Sequence, residues 1–541
     1  MTTVYSVFAD TATQHGERPF LHVPTAAAAA WSEAAVTLDY ATTLARIDRN
    51  AAVYRDRGYG KSHRVALALE NRPDFFLHWL ALNRLGCSVI PINLELQDDE
   101  IRFFLEHGDA ALIIAIPYAV ERLRGICKGM HGGSPGLIES GGLDQLPTAP
   151  EAAQHADPDG ETECALLYTS GSTGKPKACI LDNNYFLFAG RWYNGLGGLT
   201  TIRHGRERLL TPLPLSHMNA MAVSSMAMIM SAGCLIQLDR FHPRSWWQTV
   251  RDSEATIIHY LGVLPALLLE LPESPDDNAG AQVRFGFGAG VNPQHHARFE
   301  QRFGFPLIEA WAMTESGVGG SIIANQEPRH VGTCCFGRPP ETLEVQLVDE
   351  SRQPVPRGEP GELRVRASGD DPGRGFFRGY LGNPEATAEI WQDGWLNTGD
   401  VVREGADGSL HFVDRRKNVI RRSGENISAL EVEAALALHP AVGNAVVTAV
   451  PDELRGDEVA ACIIALPDRP ADAALAQSIV ATCLERLAYY KVPGYIMFCE
   501  ELPVTASNKP RRGDIKQLAR ARLDAADCID TRELKRRRVP S

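Results

Sequence analysis

Ten consecutive residues, Tyr168-Thr169-Ser170-Gly171-Ser172-Thr173-Gly174-Lys175-Pro176-Lys177, gather hydroxyls, glycine backbone N–H groups and two ammonium groups in one loop. That inventory is what a polyphosphate needs, because glycine lets backbone donors turn toward an anion and the lysines neutralise it. The loop is not a Walker A motif, since Pro176 follows Gly174-Lys175 where that motif needs a magnesium-binding Ser or Thr. Taken alone, the same residues also fit a polar surface turn. Two further turns, Pro214-Leu215-Ser216-His217 and Gly286-Phe287-Gly288-Ala289-Gly290, fall where strands of an α/β sheet should end, and such ends are where ligands bind.

The elements that must position these turns are readable from apolar runs. Cys164-Ala165-Leu166-Leu167 reads as a buried strand entering the loop, and Ala178-Cys179-Ile180-Leu181 as the ordered piece leaving it. A helix over Val4 to Thr13 and an Ala-rich loop over Pro24 to Ala30 precede them. Then come a strand over Arg64 to Leu69, a helix from Asp74 to Leu85, a strand over Cys87 to Pro91, a helix over Leu96 to Glu106 and a strand over Ala111 to Ala115. This alternation predicts a doubly wound α/β fold. Gly132 to Glu163, rich in Gly, Pro, Ala and Asp, reads as a surface connection. From Gly332 to Val413 short alternating runs predict a small β-barrel or sheet, and a compact α+β unit follows the basic segment Asp414 to Asn418. The expected division is therefore 1–414, with α/β layers to about 331 and a β-rich part over 332–414, and then 415–541.

Composition bounds the function classes. A net charge of −13 over 541 residues gives no support for nucleic-acid or anionic-membrane partners. The eleven cysteines show no C-x-x-C and no metal-ligand spacing, and read as reduced, mostly buried thiols of a cytoplasmic protein. Met218 to Leu238 carries no charge and is long enough to span a bilayer, but its interspersed Asn, Ser and Gly favour a buried helix running into a strand.

Four more segments join the loop: Glu309-Ala310-Trp311-Ala312-Met313-Thr314-Glu315, Trp395-Leu396-Asn397-Thr398-Gly399-Asp400, Asp414 to Ile427, and Leu502-Pro503-Val504-Thr505-Ala506-Ser507-Asn508-Lys509. In this order the set resembles the adenylate-forming superfamily of acyl-CoA synthetases, adenylation domains and luciferases, over nearly the whole chain. Asp414 to Ser428 looks most like the crotonobetaine/carnitine-CoA ligase branch. The resemblance implies a carboxylic acid, ATP with Mg²⁺, and CoA: the acid attacks the α-phosphate to give an acyl-adenylate and pyrophosphate, and a thiol then displaces AMP. Cations and preorganised donors should do most of that catalysis.

The same resemblance assigns roles by position. Thr169, Ser170, Gly171, Ser172, Thr173 and Lys177 match the phosphate loop, and Glu315 the magnesium ligand. Gly288, Ala289 and Gly290 match the backbone that packs on adenine. Glu309, Ala310, Trp311 and Thr314 fall in the nucleotide motif, with Trp311 standing where the family usually has Tyr. Asp400 and Arg415 match ribose contacts. Lys509 matches the adenylation lysine, Lys417 the hinge of a mobile lid, and Ser423 and Gly424 the face that admits the pantetheine thiol. His217 matches a substrate-pocket position. A homodimer is the family-level expectation.

Departures are also legible. Ala178 stands for a glycine, Asp182-Asn183 for Thr-His, Asn508 for a glycine, and Ala312 for the glycine that opens the acyl tunnel, which leans toward a small or medium acid. A carnitine-like acid would want an aromatic cage, for which Trp192, Tyr193, Trp246 and Trp247 are candidates. Two other readings stay open: an adenylating enzyme that loads a carrier protein, and a nucleotide-binding relative without turnover.

Overall fold

The structure is a computed structural model and describes residues 2–130, 133–154, 156–169, 176–274, 277, 282–349, 351–415, 419–466, 470–503, 510 and 512–535, without the side chains of 263, 294, 414, 415, 419, 426, 428 and 430. The chain divides into two compact units. The first comprises Met1–Leu94, Arg102–Tyr168 and Ala178–Asp414, and the second Glu95–Ile101, Thr169–Lys177 and Arg415–Ser541.

Among the described residues, the first unit is built on three sheets. One has the order Ile322–Ile323, Leu307–Trp311, Phe285–Ala289, Ile257–Leu261, Arg208–Thr211, Cys234–Gln237, Pro19–Val23, Val36–Asp39. Its six inner strands are parallel and its two edges antiparallel. The second sheet runs Gly136–Glu139, Ala110–Ala115, Arg64–Ala68, Ser88–Pro91, Glu163–Thr169, Lys177–Asp182. Leu112, Ile113, Ile114 and Ala115 are all fully buried. A parallel strand covered on both faces needs such an unbroken apolar run. The third sheet is antiparallel, in the order Cys335–Gly337, Leu410–Arg415, Trp395–Glu404, Pro360–Ala367, Leu343–Val348, with Trp391–Gln392 at its side. It answers the alternating runs predicted over 332–413.

Two local expectations are corrected. Pro24 to Ala30 is not all loop: Thr25–Ala28 makes one helical turn, because Ala favours the helix and Pro24 leads into it in extended backbone. Within the supposed surface connection, Gly136–Glu139 is a strand, paired in parallel with Ala110–Ala115 at the sheet edge. Met218 to Leu238 is the buried helix-into-strand predicted: a π-helical turn Asn219–Ser224 continues as the helix Ser225–Ser231 and reaches the strand Cys234–Gln237. No helix among the described residues is long and apolar enough to cross a membrane. All eleven cysteines are free, eight of them buried.

The second unit carries the sheet Glu425–Ser428, Val419–Arg422, Gly456–Ala465, Tyr495–Phe498, Ile529–Asp530, with Val442–Asp452 also paired to Gly456–Ala465. The helices Ala429–Leu436 and Ala473–Arg486 bury Val432, Leu436, Ile479 and Val480 in its core. This is the α+β unit expected after residue 414.

Candidate nucleotide and acyl site

Four turns of the first unit lie at the carboxyl ends of neighbouring parallel strands. They follow Thr211, Leu261, Ala289 and Trp311, in strands that adjoin one another in the largest sheet. This is the edge at which open α/β sheets bind ligands.

The turn Gly288-Ala289-Gly290 is shaped by close backbone approach. A Cβ on Gly288 would come 2.2 Å from the Tyr260 carbonyl oxygen, and Gly290 has φ +78°. Glu309 sits beneath it, fully buried. Its Oε2 accepts from the Gly290 N–H at 2.9 Å, and its Oε1 from the Val291 N–H at 3.2 Å and the Tyr260 hydroxyl at 2.8 Å. Burial raises the pKa of the Glu309 carboxyl despite these donors. Glu309 thus acts on the turn from below, and Ala310 follows it in the strand Leu307–Trp311.

Trp311 and Asp400, which lie 89 residues apart in sequence, meet: the indole Nε1–H donates to Asp400 Oδ2 at 2.8 Å, and Asp400 is 1% exposed. Gly399, at φ +70°, supplies the left-handed step that turns Asp400 in from its strand. The N–H of Trp, which a Tyr ring lacks, is what reaches the carboxylate here.

Glu315 follows Thr314 in a buried turn. The Tyr380 hydroxyl donates to Glu315 Oε1 at 2.8 Å, and the Phe377 N–H to the Glu315 carbonyl at 3.1 Å. Burial, then the Glu315 charge, push the Tyr380 hydroxyl far above its usual range, so it stays a donor. The segment that carries Tyr380 is itself laid along the strand Lys177–Asp182. Ile180 N–H bonds Gly379, Arg378 N–H bonds Ile180, and Leu381 N–H bonds Ala178, all at 2.9 Å. Sequence reasoning missed Tyr380, whose run Phe376-Phe377-Arg378-Gly379-Tyr380-Leu381 gives no signal beyond its apolar character.

His217 is half-buried at the start of the π-helical turn, its N–H bonded to the Pro214 carbonyl at 3.0 Å. Tyr185 ties this turn to the Glu315 turn, donating to the Thr314 carbonyl at 3.0 Å and lying 3.5 Å from Met218 Sδ. Deeper in, His259 is fully buried. Its Nδ1 meets Asn219 Oδ1 at 2.9 Å and Ser224 Oγ at 2.8 Å, and its Nε2 meets the Tyr193 hydroxyl at 2.9 Å. Burial pulls its pKa down to about 3. The four cage candidates do not converge: Trp192 and Tyr193 pack on Phe287, whereas Trp246 packs on Phe241 and Trp247 on Phe303.

The departures have local reasons. Ala178 lies in the strand Lys177–Asp182, where no glycine conformation is called for. Asp182 caps the helix Asn183–Gly195 by accepting from the Tyr185 N–H at 2.9 Å. Asn183 is a fully buried hub bonded to Val4, Asn83, Asp159 and Thr162.

In the second unit, Thr169 ends one strand and Lys177 begins the next, and the Thr169 hydroxyl lies 3.5 Å from the Lys177 carbonyl. Ser423 and Gly424 form a two-residue hairpin turn with φ of +52° and +87°, between the paired residues Arg422 and Glu425. Both positive angles mark a type I′ turn, whose twist suits a hairpin. Arg422 donates to buried Glu458 at 2.8 Å, and Lys535 Nζ reaches the same carboxylate at 2.6 Å. Arg415 ends the strand Leu410–Arg415, but its side chain, like Ser170, Gly171, Ser172, Thr173, Lys417, Asn508 and Lys509, lies outside the described set.

No group of three or more His, Cys, Asp or Glu able to hold a metal ion is present among the described residues. A magnesium ion fits this site in its usual way, on one carboxylate with the remaining ligands from nucleotide phosphates and water. Glu315, an oriented hard-oxygen donor, would be that carboxylate.

Residues 8–381 match the AMP-binding enzyme family and residues 431–509 its C-terminal domain. A crotonobetaine/carnitine–CoA ligase of Escherichia coli O45:K1 (strain S88) is 28% identical over 484 residues, 87% of this chain and 91% of that protein. The ligase of the same name from Citrobacter koseri is 28% identical over 88% of the chain and 92% of the relative. In fold, a double mutant of o-succinylbenzoate CoA synthetase from Bacillus subtilis superposes with TM-score 0.80 at 24% identity, covering 95% of this chain and 98% of that one.

Proposed function

The chain belongs to the AMP-binding enzyme family, and on that premise we propose that it is an ATP-dependent, AMP-forming acyl-CoA synthetase acting on a small to medium or carnitine-like carboxylic acid. The observation that carries the reading is one wall of the first unit, where Trp311 orients Asp400 and Tyr380 orients Glu315 at the binding edge of the sheet. Each carboxylate accepts a hydrogen bond from a neutral donor, which fixes its direction. Such groups suit ribose hydroxyls and a phosphate-bound cation.

In this reading the acid's carboxylate attacks the α-phosphate and pyrophosphate leaves; the thiol of CoA then attacks the acyl carbon and AMP leaves. Glu315 would hold Mg²⁺, which supplies charge neutralisation on the phosphates when bound. Glu309 keeps the adenine turn in place, and Asp400, with Arg415, takes the ribose. Thr169, Ser170, Gly171, Ser172, Thr173 and Lys177 cradle the phosphates, and Lys509 bridges carboxylate and phosphate. Lys417 is the hinge about which the unit from Arg415 on acts as a lid, and the Ser423-Gly424 turn then serves the thiol. His217 and the π-helical turn after it border the acyl end, where the methyl of Ala312 favours a shorter acid. The choice of a carnitine-like acid rests on the ligases at 28% identity. A cytoplasmic location is supported by cysteines that are not joined in disulfides.

The test is acid-dependent ATP–pyrophosphate exchange over carnitine, crotonobetaine, fatty acids of graded length and aryl acids, followed by CoA thioester formation. Exchange with one acid class, abolished by Lys509→Ala, is expected. ATP binding without exchange for any acid would favour the nucleotide-binding relative. Exchange without CoA acylation would favour a carrier-loading enzyme.

A further inference from the structure

One buried polar cluster of the first unit is left unused by the chemistry proposed above. His259, on the strand Ile257–Leu261, meets the π-helical turn Asn219–Ser224 that follows His217. The Tyr193 hydroxyl, 2.9 Å from His259 Nε2, has no other acceptor among the described residues, so Nε2 accepts and the ring proton sits on Nδ1. The Ser224 hydroxyl donates to the Asn219 carbonyl at 3.0 Å. Its oxygen at 2.8 Å and Asn219 Oδ1 at 2.9 Å are then left to accept from the His259 Nδ1–H. The oxygen and nitrogen of an amide point apart. With Oδ1 drawn in to His259, Asn219 Nδ2 is turned outward from a half-buried residue, and it has no partner among the described residues.

We propose that Asn219 is a specificity-determining residue whose amide N–H donates to a hydroxyl or keto oxygen in the chain of the acid, a reading that rests on the synthetase function proposed above. The acyl end is then built for a hydroxy or keto acid rather than for a plain hydrocarbon acid, and His259 is the positioning residue that presets the donor.

Place and charge both support this. The strand Arg208–Thr211 leads to the turn and pairs with the strand of His259, so the turn lies at the binding edge of the sheet. Tyr185, between Met218 Sδ and the Thr314 carbonyl, sets the start of the turn beside the turn of Glu315. Ser225 donates to the Ala220 carbonyl at 2.7 Å, as Ser224 does to that of Asn219, so side chains satisfy the widened turn. Such π-helical turns recur at functional sites. Burial keeps the His259 ring neutral, and no Asp, Glu, Lys or Arg occurs in 211–238, 257–261 or 285–289. A second carboxylate on the acid would find no cation in these segments, whereas a hydroxyl or keto oxygen needs only a neutral donor. A hydrocarbon chain laid against the preset N–H would leave it unpaired.

The test uses the full chain and acids of graded length, each as the hydrocarbon, hydroxy, keto and dicarboxylic acid. Pyrophosphate exchange is measured with every acid, and calorimetric titration of the same acids gives a reading independent of turnover. The parent should favour the hydroxy or keto acid over the hydrocarbon acid of equal length by roughly tenfold in kcat/KM, the worth of one neutral hydrogen bond. Asn219→Leu should bring that ratio close to unity. Asn219→Asp, which keeps the acceptor for His259 and removes the donor, should do the same. In His259→Phe the ratio should fall through a raised KM for the oxygen-bearing acid, whereas a general loosening of the fold would raise KM for every acid alike. A parent that favours hydrocarbon or dicarboxylic acids, or a ratio untouched in both Asn219 variants, would overturn the proposal and leave the synthetase reading standing. Binding of oxygen-bearing acids that Asn219→Leu weakens, without exchange by any acid, would sustain the proposal and overturn the synthetase reading. Neither exchange nor acid binding would overturn both.

Discussion

The first unit's Glu315 and the second unit's Glu458 are both buried carboxylates held by hydrogen bonds, yet their surroundings differ in kind. Glu315 is oriented by the neutral Tyr380 hydroxyl, as Asp400 is by the neutral Trp311 indole. Glu458, wholly buried, is clasped by the guanidinium of Arg422 and the ammonium of Lys535. Burial alone would raise the Glu458 pKa, but Lys535 and Arg422 outweigh it and hold the carboxyl low. Burial and then Arg422 pull Lys535 down to about 7, against Glu458. A neutral donor leaves a carboxylate's charge for a ligand; a pair of cations consumes it in the fold. The described donors thus differ between the two regions in charge, not in burial.

The largest effect that would break this comparison lies in the second unit. Glu458→Gln strands two buried cations, so unfolding stability should fall by about 3–5 kcal/mol, read as a lowered denaturation midpoint. If Glu458→Gln unfolds like the parent, the cations are not consumed by that carboxylate. Next, Glu315→Gln should cut acid-dependent pyrophosphate exchange by roughly 10²–10³-fold while the melting temperature holds, as expected when one transition-state charge stabiliser is removed. Tyr380→Phe should be milder, about tenfold in exchange, and should weaken the dependence on magnesium less than Glu315→Gln does.

The smallest expected effect concerns pH and sharpens the view of the first unit. His259 takes its proton near pH 6.5 when unfolded but only near 3 when folded. Between those values the unfolded chain binds the extra proton, so this residue's stability is complete above pH 6.5 and is lost as pH falls toward 3. Stability measured from pH 7 to 4 should decline less steeply in His259→Gln than in the parent. Equal slopes would mean that the ring is not held neutral by its buried setting.

Much of this was legible in the chain. Trp311, Asp400 and Glu315 came from motifs read in order along the chain, and the parallel strands announced themselves as unbroken apolar runs. What stayed hidden depends on distant contacts. Tyr380 matters because its segment is laid along the strand Lys177–Asp182, some two hundred residues earlier in the chain. No local pattern encodes that pairing. Gly136–Glu139 looked like a surface connection because glycine and proline surround it, and it is ordered by an edge partner. Nothing in the local sequence marks Lys535, and it is the buried Glu458 that gives it a role. The cage aromatics pack on different partners, which the sequence could not place, since spacing in sequence says nothing about which side of a sheet edge a helix covers.

The most direct test of the central claim is calorimetric ATP binding by the parent and by Glu315→Gln, each with and without magnesium, alongside their unliganded melting temperatures. The account predicts that magnesium tightens ATP binding by the parent, that Glu315→Gln loses this gain, and that both proteins melt together. A Glu315→Gln protein that keeps the magnesium gain, or that melts several degrees lower without ligand, would show that Glu315 serves the fold and would contradict the account.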